Sequence, residues 1–128
     1  MTALDIEVVG APATLPGAEI QRLVALALAS AGIEDGHVAV EFVGSERIHE
    51  LNREHRGKDA PTDVLSFPID EGGAPAGPRE LGDVVIAPDH TTDLREAVVH
   101  GALHLVGYDH ETDDGEMLRV QGEILADA

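Results

Sequence analysis

The chain has 128 residues, 43% of them hydrophobic and 26% charged, which suits one globular domain over residues 1–128 and leaves no room for two. It has no cysteine, so disulfides, thiolate zinc sites and thiol nucleophiles are excluded. Eight Lys and Arg stand against 25 Asp and Glu, a formal net charge of -17. The overall field therefore repels a polyanion, and a grip on nucleic acid has to come from a local basic patch or a metal ion. The simpler reading of the acidity is that it keeps the domain soluble. No basic stretch leads into an apolar run at the N-terminus, and the longest apolar segment, residues 23–29, is too short to cross a bilayer. A cytoplasmic protein without membrane contact is expected.

In chain order, residues 4–9 alternate apolar and polar and predict a strand. Ile20, Leu23, Val24, Ala27 and Leu28 fall at helical spacing within residues 18–31, with Gly32 placed to end that helix. Residues 37–43 read as a second strand, and a strand–helix–strand unit predicts a parallel pair. Ser45 is the expected N-cap of a short helix through Ile48, Leu51 and Asn52 that ends near Gly57. Residues 62–69 predict a third strand at a sheet edge, because Pro68 cannot donate a ladder hydrogen bond. A Gly/Pro-rich loop over residues 70–78 leads to a fourth strand, residues 81–87, antiparallel to the third. A helix over residues 92–106 follows, then a last helix that begins near Thr112 and carries Met117, Leu118, Val120, Ile124 and Leu125. The expected fold is α+β: a mixed sheet of about four strands covered by helices.

Three of the seven histidines fall in the segment His100-Gly101-Ala102-Leu103-His104-Leu105-Val106-Gly107-Tyr108-Asp109-His110. His100 and His104 are i and i+4, one turn apart on one helix face, so their imidazoles can share an ion. Gly107 can adopt the left-handed conformation that ends a helix and sends His110 back as a third ligand. Three nitrogens with no evident fourth ligand match a catalytic zinc site, which keeps a position open, rather than a closed structural one. Zinc in such a site brings the pKa of a coordinated water down to about 7. Nickel and other divalent ions also accept such a donor set. The spacing is shared with metzincin peptidases, but their general-base glutamate would fall at Gly101 here, so peptidase chemistry lacks its base.

The same segment resembles the signature of the YbeY family of bacterial endoribonucleases, or rRNA maturation factors. Two further segments match that family: residues 51–58 running into Pro61-Thr62-Asp63-Val64-Leu65-Ser66-Phe67-Pro68, and Glu80-Leu81-Gly82-Asp83-Val84-Val85-Ile86. The resemblance spans about residues 51–111 and implies a zincin-like fold on a central helix, with one Zn2+ held by His100, His104 and His110. It implies a single-strand endoribonuclease acting in 3′-end maturation of small-subunit ribosomal RNA and in ribosome quality control. It also implies partners in the ribosomal small subunit and among assembly factors, and a catalytic arginine at Arg56. One departure stands out: only residues 84–99 separate Asp83 from His100, a shorter connection than the resemblance leads one to expect.

Arg53, Arg56 and Lys58 form the one basic cluster of an acidic chain, and Arg56 can pair two phosphate oxygens with its planar fork. The plainer role for the cluster is a solvated helix end that favours the C-terminal dipole. Ser66, polar in an apolar strand, is a candidate to face substrate. Asp63, Asp83 and Asp109 are candidates to orient ligand imidazoles from behind, or else turn and cap residues. Tyr108 is placed to stack on a base or to pack on the metal turn. His37, His49, His55 and His90 have no ligand spacing and read as ordinary histidines. Two other functions stay open on sequence: a non-catalytic ribosome assembly factor with a structural metal, and a small metallopeptidase.

Overall fold

The computed structural model describes residues 3–69, 80–108 and 115–127. Four strands form one sheet: β1 (Ala3–Val9), β2 (Asp35–Phe42), β3 (Val64–Pro68) and β4 (Glu80–Ile86). Four helices accompany them: α1 (Gly17–Ser30), α2 (Ser45–Arg56), α3 (Leu94–Leu105) and α4 (Glu116–Asp127). The strand order is β1-β2-β4-β3, with β1, β2 and β4 parallel and β3 antiparallel to β4. The α+β expectation, the parallel first pair and the edge position of β3 all agree with this arrangement. The expected loop over residues 70–78 and the start of the last helix near Thr112 lie outside the described residues.

One sheet face, carrying Ile6, Val38, Val40, Val84 and Ile86, packs against the buried stripes of α1, α3 and α4 in the main core. On the opposite face, toward β3 and β4, Ile48 of α2 meets Leu65, Val85 and Ala87. Each stripe follows the period of its element, 3.6 residues in the helices and 2 in the strands, so burial pattern and secondary structure support one another. Among the described residues no helix is long and apolar enough to cross a membrane.

Two helix starts differ from expectation. Gly44, not Ser45, occupies the N-cap of α2, and Ser45 Oγ is hydrogen-bonded to His90 Nε2 at 2.7 Å. That bond anchors α2 to the 3-10 turn Pro88–His90, which fills the short connection between β4 and α3. The third helix starts at Leu94 because Asp93 caps it, its Oδ1 accepting from the Glu96 amide at 3.2 Å.

The edge strand has a defined hydrogen-bond phase. The Ala87 amide donates to Asp63 O and the Ile69 amide to Leu81 O, so odd-numbered residues of this stretch bond β4. Val64, Ser66 and Pro68 therefore turn their main-chain groups outward, and the Val64 amide is taken by Asp63 Oδ1 at 2.8 Å.

On the sheet face opposite the main core, His37 sits between Glu80 and Glu7, with its ring nitrogens 3.0 and 3.3 Å from their carboxylates. The bond to Glu80, reinforced by Glu7 and by the nearby charge of Asp5, raises the His37 pKa above its ordinary value. A raised folded-state pKa contributes stability that is fully present below about pH 6.5 and is lost as pH rises through the folded value. The Tm deficit of His37→Gln is therefore expected to be largest near pH 5.5 and to shrink by pH 8.5. A deficit independent of pH in thermal melts would contradict this account.

Candidate metal centre and its cleft

The apolar residues of α3 press it onto the sheet, and Gly101 permits the closest approach. A Cβ at residue 101 would stand 2.6 Å from Val84 Cγ1 and 3.0 Å from Val64 Cγ2. Real side chains do not tolerate the first of these distances, so only glycine fits while helix and strand keep their places. Ser66 Oγ donates to Gly101 O at 2.8 Å and fastens β3 to the same point. The glutamate of the peptidase motif is thus excluded sterically as well as absent.

With α3 so placed, His100 and His104 emerge half-buried on one wall of a cleft, their ring centroids 4.7 Å apart and nearly perpendicular. Their Nε2 atoms converge to 3.2 Å. Two nitrogens sharing a tetrahedral zinc at about 2.0–2.1 Å stand about 3.3–3.4 Å apart, so the observed spacing fits an ion between them. The outer nitrogens carry the complementary signal. His104 Nδ1 lies 3.0 Å from Tyr108 O, and a carbonyl can only accept, so the proton of that ring is on Nδ1. His100 Nδ1 lies 2.8 Å from Gln121 Oε1, again an acceptor. In this arrangement both rings present Nε2 toward one spot, a donor pair whose chemistry fits a divalent cation. Gly107, with φ 104°, ends α3 in the left-handed region as expected, its amide donating to His104 O while that of Tyr108 donates to Leu103 O. His110 and Asp109 lie outside the described residues. Among the described residues no group of three or more His, Cys, Asp or Glu is placed to hold an ion.

The cleft has a volume of about 770 Å³ and runs along the outer edge of β3, between the histidine pair and the end of α2. Arg56, the last residue of α2, lines it together with His55, whereas Arg53 and Lys58 are exposed but are not among the lining residues. Arg56 owes its position to the turn that follows: Gly57 takes a left-handed φ of 69°, and buried Asn52 donates from Nδ2 to Ala60 O at 2.8 Å. Ser66 does line the cleft, but its hydroxyl proton is committed to Gly101 O, so its first role is structural.

Asp63 and Asp83 are engaged elsewhere than at the two rings. Asp63 also lines the cleft, but it accepts from Thr62 Oγ1 and the Val64 amide, which makes it a turn residue. Asp83 is exposed, and because Gly82 and Val84 point toward α3, strand alternation turns its carboxylate to the other face. Tyr108 packs against the main core, with its hydroxyl reaching Ser30 O at 3.5 Å. Two residues, one in the cleft and one behind its histidine wall, carry no motif in the sequence. One is His55, whose ring meets Phe67 edge-on at 5.0 Å. The other is Gln121, buried on α4, whose signal is a polar residue inside the stripe formed by Met117 and Ile124.

The model of the family described as Endoribonuclease YbeY matches residues 14–128. A protein of that name from Bacillus licheniformis is 40% identical over 130 residues, covering 84% of this chain and 82% of the relative. Its namesake from Geobacillus kaustophilus is 43% identical over 129 residues, covering 84% and 83%. The solution structure of TM1509 from Thermotoga maritima superposes with a TM-score of 0.54 at 29% identity, covering 94% of this chain and 87% of that one. The histidine pair, the cleft beside the edge strand and the sequence matches lead to one conclusion: the chain belongs to the endoribonuclease YbeY family.

Proposed function

We propose that this protein is a zinc-dependent single-strand endoribonuclease that acts in 3′-end maturation of small-subunit ribosomal RNA and in ribosome quality control. The observation that carries the reading is the convergence of His100 and His104 Nε2 at 3.2 Å in a cleft also lined by Arg56. His110 is the third ligand by the family resemblance, and nickel is the alternative ion on ligand chemistry. Bound zinc supplies Lewis-acid activation of water and of a phosphoryl oxygen. The rest falls to the chain. The Arg56 guanidinium pairs with phosphate oxygens and stabilises the charge that grows on them during cleavage. His55 and Phe67 give the cleft an aromatic rim. Small-subunit components and assembly factors are the partners this role requires, and the cytoplasm is where it would be exercised.

Cleavage of a single-stranded RNA oligonucleotide should be lost on chelation and restored by one equivalent of zinc. Cleavage that survives thorough chelation would overturn the metal-dependent reading. Arg56→Ala is expected to lower kcat about 100-fold, and Arg56→Lys to recover only part of it, because an ammonium cannot fork across two oxygens. In so acidic a chain, three cations set the electrostatic footprint: Arg53, Arg56 and Lys58. The slope of log affinity against log salt for single-stranded RNA is then about -2. A slope several times steeper would mean a larger set of phosphate contacts than these three.

A further inference from the structure

Along β3 the wall of the cleft is main chain. Val64, Ser66 and Pro68 line it, and their main-chain groups turn outward because Leu65 and Phe67 carry the bonds to β4. The outward carbonyls can only accept. Donors are fewer: the Val64 amide is held by Asp63 Oδ1 at 2.8 Å and Pro68 has none, which leaves the Ser66 amide. The Ser66 hydroxyl adds no donor to this wall, since it donates to Gly101 O at 2.8 Å. The wall is therefore rich in acceptors, with one donor at its centre.

That polarity sorts the parts of a nucleic-acid strand. Phosphate oxygens only accept and are negative, so the carbonyl dipoles and the Asp63 carboxylate beside them repel phosphate. Phosphates belong on the Arg56 side of the cleft. A DNA backbone has no donor along its length. Each ribose of RNA has one, the 2′-hydroxyl, which both donates and accepts. A hydroxyl laid against this stretch can accept from the Ser66 amide and donate to an outward carbonyl, of Val64 or of Ser66 itself.

We propose that the outer edge of β3 is a ribose-recognition site, in which the main chain of Val64 and Ser66 takes a 2′-hydroxyl and so selects RNA over DNA. The inference rests on the single-strand endoribonuclease reading above and adds where in the cleft the sugar is read. The recognising groups are main-chain groups, so it is the phase of the strand, not the kind of side chain, that presents them.

The test is competition against cleavage of a labelled single-stranded RNA by the zinc-loaded, full-length protein, read from initial rates. Unlabelled strands of one base sequence compete: RNA, its 2′-fluoro form, and DNA with uracil in place of thymine. Fluorine keeps the sugar pucker of RNA but cannot donate. RNA should compete about tenfold better than either of the others, the difference that one or two hydrogen bonds make. Ser66→Pro removes the outward amide donor, which no ladder bond uses, and Ser66→Ala controls for the lost hydroxyl. The advantage of RNA should narrow about threefold in the first and persist in the second. If Ser66→Pro unfolds, the Ser66 amide proton of the wild type decides instead, shifting with RNA and not with the 2′-fluoro strand. RNA and 2′-fluoro RNA competing within about twofold of one another would overturn the proposal, and would mean that phosphates or base edges are read instead. An advantage as large in folded Ser66→Pro as in the wild type would overturn it too. If the protein cuts no RNA, binding constants for the same strands from fluorescence anisotropy replace the competition, so the cleavage reading fails separately from this one. Binding to none of the strands would sink both.

Discussion

His104→Ala is expected to abolish zinc retention and to cut RNA cleavage at least about a thousandfold, while the metal-free protein melts within a few degrees of the wild type. The size follows from what is lost. Removing one of two converging nitrogens leaves the ion held too loosely to be retained, and a factor of a thousand corresponds to about 4 kcal/mol of transition-state stabilisation. The structural cost is small by comparison. His104 is half-buried, and the bond it gives to Tyr108 O is worth about 1 kcal/mol. This difference separates a chemical role from a scaffolding one. Zinc content by elemental analysis, cleavage of single-stranded RNA and a thermal melt together decide it. Equal cleavage by the variant would detach the histidine pair from the chemistry and favour a protein whose metal only pins α3 to the turn after it.

The largest expected effect on stability lies at Gly101. Gly101→Ala gains about 1 kcal/mol of helix propensity but forces a methyl to within 2.6 Å of Val84 Cγ1, and Val84 is fully buried. Overpacking of this kind costs about 1–3 kcal/mol, with a buried Val84 that has no room to move placing it at the upper end, so a net loss of about 2 kcal/mol is expected, several degrees in Tm. Gly101→Glu should be far worse, because it adds a carboxylate between α3 and the sheet, and the variant is expected to be largely unfolded near 37 °C. A double-mutant cycle checks the cause: Gly101→Ala combined with Val84→Ala should be less destabilised than the two single changes added together. Additive losses would mean that the crowding at Val84 is not the reason. The same crowding explains why the peptidase reading fails at this position, whatever the histidine spacing suggests.

Much of the fold was legible because local rules carry it. The apolar stripes of α1 and α3 follow helical spacing, Pro68 confines β3 to an edge, and Gly107 ends the metal helix, each from a few neighbouring residues. The relation of His100 to His104 is equally local, since i and i+4 on one helix fix it. What the sequence did not disclose depends on contacts between distant segments. The insertion of β4 between β2 and β3 is a choice of long-range pairing. The anchoring of Ser45 to His90 needs the 3-10 turn to be in place. One partner of His100, Gln121, comes from α4 across the core, and no local pattern signals that meeting. His55 was passed over for want of a ligand spacing, although the end of α2 delivers it to the cleft beside Arg56.

The phase of the edge strand bears on which polymers the cleft admits. An extended polypeptide docks beside such an edge by trading main-chain hydrogen bonds with it. Of the residues whose main chain turns outward here, Val64 has spent its amide on Asp63 and Pro68 has none to give. Ser66 alone retains a donor, although the carbonyls of all three residues turn outward with it. An incoming strand therefore meets a ladder short of two of its donors and pairs here less firmly than along an unbroken edge. A ligand recognised through phosphates and flat rings gives up nothing by the missing rungs.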